Sequence, residues 1–98
     1  ELINPILKQL DCSKLLRIRA NLLMPNLNRS FSAYHVDQWC ECKNAIFYVT
    51  DNDGYTEFQN GLTFPSKANT LLKFDNSNFH RAVGPTDNIR ILVNINYE

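Results

Sequence analysis

Tyr34-His35-Val36-Asp37 is the stretch on which the reading of this chain turns. Strand side chains alternate faces with period two, so His35 and Asp37 fall on one side and can share one ligand. Two imidazoles and a carboxylate form a facial triad that holds a divalent metal and leaves coordination positions open. The only other histidine is His80, in Asn78-Phe79-His80-Arg81-Ala82-Val83, and ten residues beyond it Arg90 sits inside an apolar run. His-x-Asp alone is a weak motif with many chance matches. The distal histidine and the arginine, in that order, make the pattern specific. His80 must then return to His35 across forty-five residues, which calls for a fold that lays early and late strands side by side.

The rest of the chain supplies such strands. Apolar residues at Leu2, Ile3, Ile6, Leu7 and Leu10 follow a helical spacing over residues 2 to 11, with Pro5 suited to the first turn. From Leu15 to Met24 the pattern changes to alternation, with Leu16, Ile18, Ala20 and Leu22 on one face and Arg17, Arg19, Asn21 and Leu23 on the other. That second face meets either solvent or a polar cavity. Further strands are expected at 33–37, 44–50, 55–58, 62–65 and 70–74, around His80, and at 88–97. Asp51-Asn52-Asp53-Gly54 reads as a hairpin turn in which Gly54 supplies positive φ. Eight short strands behind one brief helix argue an all-β fold, and the double-stranded β-helix, the cupin-like jelly roll, is the variant that brings His80 back to His35.

Composition narrows the function. Ninety-eight residues make one domain, 1–98, and ten basic residues balance ten acidic ones, so nothing draws the whole chain to nucleic acid or an anionic membrane. No run of eighteen apolar residues and no basic-then-apolar leader is present, and the chain reads as soluble. Cys12, Cys40 and Cys42 are odd in number and too closely spaced for a two-plus-two zinc site. They read as reduced thiols in a cytoplasmic setting, with a zinc site of Cys40, Cys42 and His35 as the alternative. Asp51-Asn52-Asp53-Gly54 fails the calcium-loop pattern, which needs Gly at position six and Glu at twelve. Trp39 serves either as a packing aromatic over the barrel mouth or as a substrate-stacking surface.

The order His35-x-Asp37, Ile46-Phe47-Tyr48-Val49, Leu71-Leu72-Lys73-Phe74, His80, Arg90 resembles the iron(II)/2-oxoglutarate-dependent oxygenases, above all their prolyl-4-hydroxylase-like branch. The resemblance spans roughly residues 15 to 97. It implies Fe(II) held by His35, Asp37 and His80, and 2-oxoglutarate anchored through its distal carboxylate by Arg90, whose planar fork suits a carboxylate. Tyr48 matches the tyrosine that assists Arg90. Dioxygen, ascorbate as auxiliary reductant, and a peptidyl (prolyl) or small-molecule substrate follow from the same resemblance, with succinate and CO2 as co-products. Two other readings stand beside it: a catalytically silent jelly-roll binding module, and a metal cupin that does not use 2-oxoglutarate. Such cupins typically use three histidines, and this chain has two.

In the terminal strand Arg90, Leu92, Asn94 and Asn96 share one face and Ile89, Ile91, Val93, Ile95 and Tyr97 the other. With Phe47, Val49, Tyr34 and Val36 these isoleucines and Val93 form an apolar outer patch that a helix of ten residues, about 15 Å long, cannot cover. The expectation is a homodimer through this face, or a minimal core cut from a longer chain.

Overall fold

The computed structural model describes residues 4–10, 13–36, 42–75 and 77–98. One helix, α1 (Asn4–Gln9), precedes seven strands: β1 (Leu15–Leu23), β2 (Lys43–Tyr48), β3 (Tyr55–Phe58), β4 (Thr63–Pro65), β5 (Thr70–Asp75), β6 (His80–Val83) and β7 (Arg90–Tyr97). They form a four-stranded sheet in the order β1-β7-β2-β5 and a three-stranded sheet in the order β4-β3-β6. Of the strand expected at 33–37 the described residues are 33–36, which carry one antiparallel bridge, His35↔His80; with Phe31↔Val83 just before it, this lays the segment along the free side of β6. Within each sheet neighbours are antiparallel and mostly distant in sequence, the interleaving of a jelly roll. The expected all-β double-stranded β-helix with a short N-terminal helix is the observed architecture. No helix among the described residues is long and apolar enough to cross a membrane.

β2 and β3, expected to form a hairpin, belong to different sheets. Residues 50–54 therefore turn a corner from one layer to the other. Gly54 is needed there for space and not for positive φ, since among the described glycines the left-handed one is Gly61, at φ 97°. A Cβ at Gly54 would lie 2.8 Å from the Val83 carbonyl oxygen and 3.1 Å from Cδ of Arg90. Gly54→Ala is expected to cost about 1 to 3 kcal/mol, the usual range for overpacking, read as a lower urea midpoint with an unchanged slope. An unaltered midpoint would mean that the corner relaxes freely. Behind the same corner the Asp53 carboxylate accepts hydrogen bonds from the Thr86 amide at 2.6 Å and from the Thr86 hydroxyl, and it pairs with Arg29 at 2.6 Å. Those donors hold its carboxyl well below the usual range and tie three loops together at the closed end of the sandwich.

Register sorts the side chains of the larger sheet. Arg17, Arg19, Asn21 and Leu23 of β1 stand opposite Asn96, Asn94, Leu92 and Arg90 of β7, and on β2 the matching positions are Asn44, Ile46 and Tyr48. This row faces the second sheet: Ile46, Tyr48 and Leu92 form one buried cluster, with Leu72 and Phe74 of β5 packed on it. The outer row holds Ile18 and Ala20 of β1, Val93 and Ile95 of β7, and Ala45 and Phe47 of β2. Leu10 and the half-buried Ile6 and Leu7 of the helical segment cover Ile95, Ala45 and Tyr97, so part of the expected bare patch is covered. Beside α1, whose Pro5, Ile6 and Gln9 form one wall, an apolar groove of about 690 Å³ remains, lined on the sheet by Ile18, Ala20, Phe47, Val49, Leu71 and Val93. Tyr34, expected to join this patch, instead stands with Glu57 and Arg81 of the other sheet, donating to the Glu57 carboxylate at 3.2 Å.

Candidate functional site

The interior between the sheets holds a cavity of about 240 Å³. His35 and His80 line it from one sheet, Arg90, Leu92 and Asn94 of β7 and Asn21 of β1 from the other. Because β1 and the segment around His35 are the outer edges of the two layers, the gap between those edges is its way in.

The two histidines are brought together by the backbone. The amide of His35 donates to the carbonyl of His80 at 2.9 Å, and the amide of His80 donates back at 3.0 Å. Residues that exchange both bonds across an antiparallel pair project their side chains to one face, and the ring centroids lie 4.7 Å apart. Each Nδ1 has a carbonyl oxygen beside it, Ala33 at 2.8 Å for His35 and Asn78 at 3.1 Å for His80. A carbonyl only accepts, so a ring that bonds it does so as an Nδ1–H donor, and Nε2 is the atom that a metal would take. This is the arrangement that fixes tautomer and ring angle in metal-binding histidines. His80 is 4% exposed and packs between Phe58 and Phe74, with centroids at 5.9 and 4.8 Å. Asp37, expected to be the third ligand, lies outside the described residues, as do Cys12, Trp39 and Cys40. Among the described residues no group of three acidic, histidine or cysteine side chains forms a metal cluster.

Arg90 begins β7 and is 1% exposed. Its Nε donates to Ser66 Oγ at 2.8 Å and its Nη2 to Thr56 Oγ1 at 3.1 Å. Tyr48 stands next to it, with the guanidinium carbon 5.9 Å from the ring centroid and its hydroxyl hydrogen-bonded to Thr56 Oγ1 at 2.7 Å. Burial pulls the guanidinium below its usual pKa and pushes the Tyr48 phenol up. Nη1 of Arg90 is buried with no hydrogen-bond partner among the described residues. A buried cation with an unmet donor is expensive, and an anion with two coplanar oxygens is the group that relieves it.

The spacing between the two centres follows from β3. Thr56 touches Arg90, while Phe58, two residues on and on the same face, stands opposite His80. Two strand residues advance about 7 Å. The imidazole pair fits a divalent metal by donor type, and the orphaned guanidinium nitrogen fits a carboxylate at the far end of a short linear chain.

Sequence reasoning placed His35, His80, Arg90 and Tyr48 around one cavity; His35, His80 and Arg90 line it, and Tyr48 stands beside Arg90 with its hydroxyl on Thr56. It missed Ser66 and Thr56, whose hydroxyls hold the guanidinium; Thr56 carries a signal only in the inward-facing period of β3. The polar face of β1, left between solvent and cavity, turns inward: Asn21 and Leu23 line the cavity, and Arg17 donates to Asn96 Oδ1 at 3.2 Å.

No known protein-family model matches this chain, and neither does any curated protein sequence. Solved structures do. The chain is similar to a cupin protein from Bacteroides fragilis, with TM-score 0.69 and 10% identity over 95% of this chain and 73% of that one. A cupin domain from Bordetella pertussis follows at TM-score 0.65 and 13% identity, over 88% and 83%. A prolyl-4-hydroxylase from Pseudomonas putida gives TM-score 0.63 and 16% identity over 96% of this chain but 59% of that one. At such identities the likeness is one of fold, and the fold is the cupin-like jelly roll.

Proposed function

We propose that the chain is an iron(II)- and 2-oxoglutarate-dependent dioxygenase that hydroxylates a peptidyl (prolyl) or small-molecule substrate. The observation that carries the reading is the buried Arg90 guanidinium, its Nη1 without a partner, in one cavity with His35 and His80. The distance between the centres suits a five-carbon diacid, whose four C–C bonds of about 1.5 Å span about 5 Å between carboxyl carbons.

His35 and His80 would hold the metal through Nε2, with Asp37 as the carboxylate of the set. Iron(II), when bound, supplies the activation of dioxygen that couples decarboxylation of 2-oxoglutarate to oxidation of the substrate. Arg90 would fork onto the distal carboxylate, and Ser66 and Thr56 hold the fork in plane. Tyr48, beside Arg90 and bonded to Thr56, would assist it, and Ile46 and Leu92 would wall the cosubstrate off from water. The cupin neighbours favour a second reading, a metal cupin that uses no 2-oxo acid. That reading leaves the unmet donor of Arg90 without a purpose.

Incubation with Fe(II), ascorbate, dioxygen and 2-oxoglutarate, followed by NMR, is the test. Succinate is expected to appear above the protein-free control even without added substrate. Absence of both succinate and any calorimetric binding of 2-oxoglutarate would sink the proposal in favour of the metal cupin.

A further inference from the structure

We propose that the cross-strand pair Arg19 and Asn94 is a substrate-recognition element, and that it takes a carboxylate on the substrate. The inference rests on reading the cavity around His35 and His80 as the reaction chamber.

β1 is an edge strand, and its faces are reversed. An edge strand ordinarily buries its apolar side and gives its charges to water. Here Ile18 and Leu22 lie on the outer face at 40% and 56% exposure, while Arg17, Arg19 and Asn21 share the inward row with Arg90. Arg17 is engaged with Asn96, and Arg29 and Arg81 are paired with Asp53 and Glu57. Arg19 is exposed, stands directly opposite Asn94, and has no hydrogen bond or ion pair with any described residue; nor does the amide of Asn94. Asn94 and Asn21 line the cavity, and Arg19 pairs with Asn94 one inward position beyond Asn21 on the edge strand β1.

Distance separates this pair from the cosubstrate. Asn94 is four residues along β7 from Arg90, which is about 13 Å of strand. A five-carbon diacid anchored at Arg90 ends well short of that, since its carboxyl carbons lie only about 5 Å apart. The polar pair therefore serves a different molecule. A guanidinium with a side-chain amide beside it offers N–H donors in an array that suits a carboxylate. The chemical class is a substrate with a free carboxylate, such as an amino acid or a chain terminus.

The test is a ¹⁵N NMR titration of the whole 98-residue chain with N-acetyl-L-alanine and, separately, N-acetyl-L-alaninamide, which differ only in the carboxylate. Both are run in wild type and in Arg90→Met, so that a probe captured by Arg90 is recognised. The acid is expected to shift the Asn94 side-chain amide in both proteins, and the neutral amide to bind about tenfold or more weaker. Arg19→Gln is expected to weaken the acid by a similar factor while leaving the calorimetric affinity for 2-oxoglutarate unchanged. Equal binding of acid and amide, loss of the acid in Arg90→Met, or indifference to Arg19→Gln would each overturn the proposal. Acid binding at Asn94 with no binding of 2-oxoglutarate would uphold this pair and defeat the oxygenase reading instead.

Discussion

Arg90→Lys is expected to weaken 2-oxoglutarate binding about tenfold or more, because a point charge cannot reproduce a planar fork. The geometry makes the loss specific. Nε and Nη2 are committed to Ser66 and Thr56, so the guanidinium is held with Nη1 free for the ligand, and an ammonium on a flexible stem cannot satisfy both hydroxyls and the carboxylate. In wild type with a divalent ion present, 2-oxoglutarate at one hundred times its Kd should add about 2.7 kcal/mol of stability. For a domain of this size that is a rise of roughly 10 to 20 °C in Tm. Arg90→Met should abolish the rise. Without cosubstrate the same change should be close to neutral, since it leaves two hydroxyls less well satisfied but also removes a buried charge with no counterion among the described residues. A wild-type Tm indifferent to 2-oxoglutarate, or an Arg90→Met protein that fails to fold, would show that the arginine is structural.

His80→Ala should reduce metal affinity by more than the roughly 10- to 100-fold that loss of an outer-shell partner costs. Titration with Mn(II), followed by electron paramagnetic resonance of the free ion, reads this directly. The substitution also removes a ring from between Phe58 and Phe74, so some stability is lost whatever the role of His80. Ala33 and Asn78 provide the control that separates the two effects. Their carbonyls orient the Nδ1 protons through the backbone, so substitution at the exposed Asn78 side chain should leave affinity nearly unchanged. Wild-type binding of Mn(II) no tighter than that of His80→Ala would refute the metal assignment. Affinity should also fall as the solution is acidified, because a proton on Nε2 competes with the ion.

Much of the site was legible in the sequence because it is written in local period. His80 and Arg90 lie on strands, and His35 on a bridge to His80; the long return from His80 to His35 required interleaved layers. The corner at residues 50–54 was not legible. Its turn residues look like those of any tight hairpin, and only the pairing of β2 with β5 and β7 shows that the chain leaves one sheet for the other. Gly54 misled for the same reason: sequence signals a turn glycine, whereas the need here is room for a carbonyl and an arginine stem from elsewhere in the chain. Residues 33–36 of the strand expected at 33–37 carry a single bridge, at His35, and the hydroxyls of Ser66 and Thr56 have no motif to announce them.

The place of β7 has a consequence for how the protein comes into being. β7 lies between β1 and β2, with Leu15 facing Tyr97 and Leu23 facing Arg90. During synthesis β1 therefore waits for a partner that the ribosome makes much later, and β2 waits with one flank open. Loop closure over such separations makes folding slow, and unpaired strand edges exposed in the meantime invite association with other chains. Release of the nascent chain before Arg90 would leave the larger sheet split in two, with both histidines made and Arg90 missing.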